Sequence, residues 1–186
     1  MQKLISGGYV SDDDAAIVRY GLELNIMKAA AFSAMFIVAA VLKSAVTALV
    51  FIAFFSVLRS CCGGYHAKTR IFCLISSTLI MAAVIAAVRL TPEGAVLPAA
   101  MVILSVGVLL IAVFAPVDTP AKPFDDIERR VFRRRSLTAA AGAAAITAVS
   151  AFFGLYMLTF SAAMAVFSTG LLLVIGRLSN RKGATK

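Results

Sequence analysis

Uninterrupted apolar runs of 15 to 22 residues recur along this chain and leave it few ways to fold. A helix needs about 20 predominantly apolar residues to cross the roughly 30 Å hydrocarbon core of a bilayer. The runs have that length, and their hydrophobicity is not spread as a helical or strand period. The chain is 61% hydrophobic with mean hydropathy +0.96, whereas a soluble domain is nearer half apolar. The expected fold class is an all-α integral membrane protein of six transmembrane helices with a short N-terminal amphipathic helix. The expected organisation is a single membrane domain over 1–186, with spans at 26–42, 44–58, 73–88, 95–114, 137–153 and 156–175. A cytoplasmic amphipathic segment over 1–25 precedes them and a basic cytoplasmic tail over 176–186 follows. Only Lys43 and Ser44 part the first two spans, which reads as a tight hairpin with Lys43 snorkelling outward. Ahead of the spans, Ser11 can cap a helix whose first turn holds Asp12, Asp13 and Asp14. Ile17, Tyr20, Leu24 and Met27 then share a face, the pattern of a helix lying on a membrane surface or capping the bundle. Asp12, Asp13, Asp14 and Glu23 also argue against a secretory signal peptide.

The charge pattern fixes an expected orientation. The chain has 18 Lys and Arg against 9 Asp and Glu, a net charge of +9. With six spans, sixteen of the eighteen basic residues fall on one side, leaving only Lys43 and Arg89 on the other. By the positive-inside rule both termini and the second and fourth loops are cytoplasmic. A nucleic-acid partner is not expected, because these charges abut membrane helices without aromatic interleaving. Three cysteines, two of them adjacent, form no secreted disulfide framework. No metal site or cofactor is indicated.

The loop between the second and third spans runs Arg59-Ser-Cys-Cys-Gly-Gly-Tyr-His66-Ala-Lys-Thr-Arg-Ile-Phe-Cys73 and holds the chain's one histidine and all three cysteines. A thiol near pKa 8.5 is mostly protonated at neutral pH, and an imidazole in reach can take its proton to give a nucleophilic pair. Lys68 and Arg70 add positive potential that favours a thiolate. His66 and Cys73 are seven residues apart, about 10.5 Å along the axis of an unbroken helix. A productive pair therefore requires a bend or break between them, with Cys73 at the start of the third span. Cys61 and Cys62 are rival nucleophiles on geometry alone; otherwise they are inert or acylated membrane-edge cysteines.

This run resembles the signature of the accessory gene regulator B family, membrane cysteine endopeptidases of Gram-positive quorum sensing. The matching positions are Arg59, Gly63, Gly64, His66, Ala67 and Cys73. A Pro-x-Asp-x-x-x-Lys-Pro stretch after the fourth span, Pro116-Val117-Asp118-Thr119-Pro120-Ala121-Lys122-Pro123, is similar to a second family feature. The resemblance implies an enzyme of the bacterial cytoplasmic membrane that cleaves a small amphipathic propeptide and helps form a cyclic thiolactone autoinducing peptide. It makes His66 the base and Cys73 the nucleophile, and suggests a homodimer. Arg59 and the backbone near Gly63 and Gly64 are supporting or oxyanion candidates. Lys122, Arg129, Arg130, Arg133, Arg134 and Arg135 are candidates for docking the acidic part of the propeptide, or for binding anionic lipid headgroups. Asp118, Asp125, Asp126 and Glu128 are the carboxylates that could orient His66. A small transporter or a non-catalytic membrane scaffold is the alternative. A transporter calls for ionisable residues within the spans and repeat symmetry between halves, and here only Lys28 falls in a span, near its end.

Overall fold

The computed structural model describes residues 15–63, 70–117 and 124–183. Among the described residues six helices follow one another: α1 Ala15–Val41, α2 Ala45–Cys62, α3 Arg70–Leu90, α4 Glu93–Phe114, α5 Asp126–Phe152 and α6 Tyr156–Gly183. Among the described residues there is no strand, only an isolated bridge between Gly63 and Val117. Five helices among the described residues are long and apolar enough to cross a membrane, and α3 contributes a shorter apolar stretch, Leu74–Leu90. The protein is an all-α integral membrane protein.

The helices outrun the apolar stretches that announce them, for local reasons. Arg59 interrupts the second apolar run, yet α2 continues to Cys62 and ends only where Gly63 takes a φ of 69°. Cys61 and Cys62 thus belong to the last turn of a helix, not to a loop. The arginines 129–135 are likewise helical, because α5 begins at a capping box. Asp125 accepts from the Asp126 N–H at 2.7 Å, while Glu128 reaches back to the Asp125 N–H at 3.4 Å. Such a box satisfies amide groups that a helix start otherwise leaves without partners. At the N-terminal end, residues 15–41 form one helix, so residues 15–25 continue directly into the first span. The part of the expected amphipathic helix before residue 15 lies outside the described residues.

Helix α6 is the axis of the bundle and packs most extensively against α4, then α2 and α5. Its side chains from Phe160 to Val166 include the fully buried Ala163, Ala165 and Val166. Lipid tails are as apolar as a leucine side chain, so helix pairing in a bilayer depends on close backbone approach at small residues. Gly107 on α4 is such a point: a Cβ there would stand 2.7 Å from the Phe167 amide nitrogen and 2.8 Å from its Cα. The buried hydroxyls obey the same solvent. Thr159, Ser161 and Thr169 donate to the carbonyls of Leu155, Met157 and Ala165 at 3.0, 2.6 and 2.9 Å. Ser161 and Thr169 thus satisfy themselves within their own helix, as a medium without water demands, while Thr159 also lies 2.9 Å from Ser150 Oγ of α5. Large apolar side chains such as Val41, Leu79, Val102 and Leu109 face outward, as lipid contact requires.

Three short turns, 42–44, 91–92 and 153–155, join the helices in pairs. The Arg89 guanidinium, at the end of α3, donates to the Leu42 carbonyl and to Ser44 Oγ, tying α3 to the α1–α2 turn. At the opposite end Arg177 of α6 lies 5.6 Å from the ring centre of Phe114 on α4.

The α4–α6 crossing yields a paired expectation. Gly107→Ala should destabilise the protein by about 1–3 kcal/mol, because the added methyl meets backbone that cannot rotate away. Gly142→Ala, where nothing lies within 4 Å, should stabilise α5 by about 0.5–1 kcal/mol. Unfolding of the detergent-solubilised variants against the parent chain measures both.

Candidate active site

The end of α2 poses a problem of unpaired carbonyls. The last turn of a helix leaves its C=O groups without intrahelical donors, and burying them unpaired is costly. Here each of several carbonyls finds a donor from a different source. The Arg59 carbonyl accepts from the Gly63 N–H at 3.2 Å, closing the turn. The Cys61 carbonyl accepts from the buried Ser136 hydroxyl of α5 at 3.0 Å. The Cys62 carbonyl accepts from the Val117 N–H, just past α4, at 3.2 Å. The Gly63 carbonyl accepts from Arg59 Nη1 at 2.8 Å.

These bonds explain why residue 63 is glycine. Its φ of 69° is disfavoured for any residue with a side chain. A Cβ would also stand 2.4 Å from the Val117 carbonyl oxygen. Arg59, read from the sequence as a motif arginine, holds this turn shut. The Gly63 amide, a candidate oxyanion donor, is engaged by the Arg59 carbonyl, so its part here is conformational.

The segment opposite Gly63 is held as firmly. After α4 the chain passes through a cis Ala115–Pro116 peptide bond to Val117. Arg133 of α5 places both arms of its guanidinium on this helix end, Nη1 to the Ala115 carbonyl at 3.0 Å and Nη2 to the Ala112 carbonyl at 3.3 Å. It is thus a cap for α4 as well as a member of the basic cluster. Arg135 lies over the Phe132 ring at 5.8 Å, and Phe132 stacks on Phe124 at 4.9 Å between ring centres. Arg129, Arg130 and Arg134 are exposed on the first turns of α5. Among the carboxylates weighed as partners for the histidine, Asp125 and Glu128 form the capping box of α5.

Helix α3 begins at Arg70, which puts the Cys73 backbone in its first turn. His66, Gly64, Lys68, Lys122 and Asp118 lie outside the described residues. The two other thiols differ in access: Cys62 is fully buried against the core, and Cys61 is half-buried. Neither Ser136 nor the capping role of Arg133 stands out in the sequence. A hydroxyl directly after the arginine run, on the helix that the Asp-Asp-x-Glu cap begins, is the signal that could have marked Ser136.

Replacing Gly63 is the sharpest test of this arrangement. Gly63→Ala must either flip the turn or displace Val117, so it should cost about 1–3 kcal/mol of stability. Denaturation of the purified variant reads the loss.

A family model for accessory gene regulator B matches residues 1–175. No curated protein and no solved structure matches the chain. With nearly its whole length matched, and with the glycine turn of that motif built as described, the chain belongs to the accessory gene regulator B family.

Proposed function

We propose that this protein is an integral-membrane cysteine endopeptidase that cleaves a small amphipathic propeptide and returns its N-terminal part as a cyclic thiolactone. The observation that carries the reading is the position of Cys73 in the first turn of α3, seven residues after His66. Amide groups at a helix start lack intrahelical acceptors and carry partial positive charge, which favours a thiolate nearby. Family membership supports the same pairing.

In the proposed reaction His66 takes the proton from the Cys73 thiol. The thiolate attacks a backbone carbonyl of the propeptide, and the C–N bond breaks. His66 returns the proton to the departing amine of the C-terminal segment, leaving an acyl thioester on Cys73. A cysteine thiol within the retained segment gives its proton to His66, attacks this thioester and expels the Cys73 thiolate. One thioester replaces another, so the exchange is close to thermoneutral and needs no external energy source. The internal thiol must outrun water, and holding it close raises its effective concentration by orders of magnitude. A site at the bilayer edge also limits water.

Sixteen of eighteen basic residues support a cytoplasmic location for this site and both termini. Arg129, Arg130 and Arg134, exposed on α5, would meet the acidic end of the propeptide there or anionic headgroups. A second copy of the chain would complete a homodimer.

Two outcomes check this reading. Cys73→Ala should abolish release of the C-terminal segment, and His66→Ala should slow it by about 10²–10⁴-fold, while Cys61→Ala should still cleave; mass spectrometry of products from co-expressed propeptide decides. Charge reversal at Arg129, Arg130 and Arg134 should raise KM for an acidic propeptide with little change in kcat, and a basic propeptide should partly restore it. If processing is indifferent to propeptide charge, these arginines serve the membrane surface instead.

A further inference from the structure

Ser136 is a hydroxyl with more to do than satisfy itself. It is fully buried, and the Phe132 carbonyl of its own helix, 2.8 Å away, would suffice as its acceptor. Thr147 stops at that arrangement, donating to the Ala143 carbonyl at 2.7 Å. Ser136 also reaches the Cys61 carbonyl of α2 at 3.0 Å. Three successive carbonyls, those of Cys61, Cys62 and Gly63, are thereby held from three directions: by α5, by the segment after α4, and by Arg59.

The consequence is geometric. Gly63 ends α2, and the chain leaves it toward His66, three residues on. Three residues reach no farther than about 11 Å, so the position at which Gly63 is held bounds where an imidazole on that segment can act. Removing the Ser136 hydroxyl frees the Cys61 carbonyl, and with it the last turn of α2. Arg133 supports the same turn from the far side: its two bonds fix the end of α4, which fixes Val117 against Gly63.

We propose that Ser136, supported by Arg133, is a positioning residue for peptide-bond cleavage, fixing through Cys61, Cys62 and Gly63 the point from which the histidine segment departs. This rests on the endopeptidase reading above. Neither residue touches substrate in this role. Their effect is on the rate of the chemical step, since small misplacements of reacting groups cost up to about a hundredfold in rate.

The test uses the full chain reconstituted in liposomes with a synthetic amphipathic propeptide that has an internal cysteine, an acidic C-terminal segment and a C-terminal fluorophore. Ser136→Ala should lower kcat by about ten- to a hundredfold with KM changed less than about threefold. Ser136→Thr, which keeps the hydroxyl, should recover most of the loss. A kcat for Ser136→Ala within twofold of the parent, a loss carried by KM, or a threonine variant no better than alanine would each overturn the proposal. Should Ser136→Ala fail to accumulate in membranes, Arg133→Ala is compared with Arg133→Lys, which keeps the charge but not the two-armed grip on the end of α4. Positioning requires both variants to lose kcat; full recovery by lysine refutes it. If Cys73→Ala still cleaves, the endopeptidase reading itself falls. If cleavage depends on Cys73 but not on Ser136, only the positioning role falls.

Discussion

A helix that stops inside or at the edge of a bilayer must find donors for its final carbonyls from protein, because hydrocarbon offers none. The end of α2 meets that demand by drawing on α5, on the segment after α4 and on its own Arg59. That one requirement ties together parts of the chain far apart in sequence. It sets glycine at position 63, since no other residue fits both the backbone angle and the approach of the Val117 carbonyl. It also draws α5 against α2, so that the basic turns of α5 and the glycine turn of the family motif form one construction.

The rest of the bundle supports this end by packing without a hydrophobic driving force. Small residues let α4 and α6 approach until backbone meets backbone at Gly107. Ser161 and Thr169 of α6 turn to carbonyls of their own helix, while Thr159 at its start also meets Ser150 of α5. The bonds that cross between helices are concentrated at the ends. Arg89 and the Ser150–Thr159 pair supply them at one end, and Ser136, Arg133 and Val117 at the other.

Much of the fold could be read from the sequence because bilayer thickness is a hard constraint. Apolar runs of the right length announce helices, and turns such as Lys43-Ser44 announce hairpins. Helix ends were less legible, since they depend on who donates to the last carbonyls. Arg59 looks like the end of an apolar run, yet its side chain folds forward onto Gly63 and the helix carries on beneath it. The arginines of α5 look like a loop until Asp125 and Glu128 are seen as a capping box. For the site, the residue types and spacing of the histidine and cysteines were visible, as was the glycine pair. Ser136 was not, because a serine beside arginines carries no periodic or motif signal, and its partner at Cys61 lies 75 residues away.

The Arg89 clasp has a mechanical meaning for the opposite end of the molecule. It joins the start of α2 to the finish of α3, so the two helices resemble the arms of a caliper pinned at one tip. Their far tips, Cys62 and Arg70, lie about 27 and 32 Å from that pin by helix length. The tip of α2 is gripped in its turn by Ser136 and Val117. An arginine at one end of the bundle and a serine and an amide at the other thus clamp α2 lengthwise, like a rod set in two sockets.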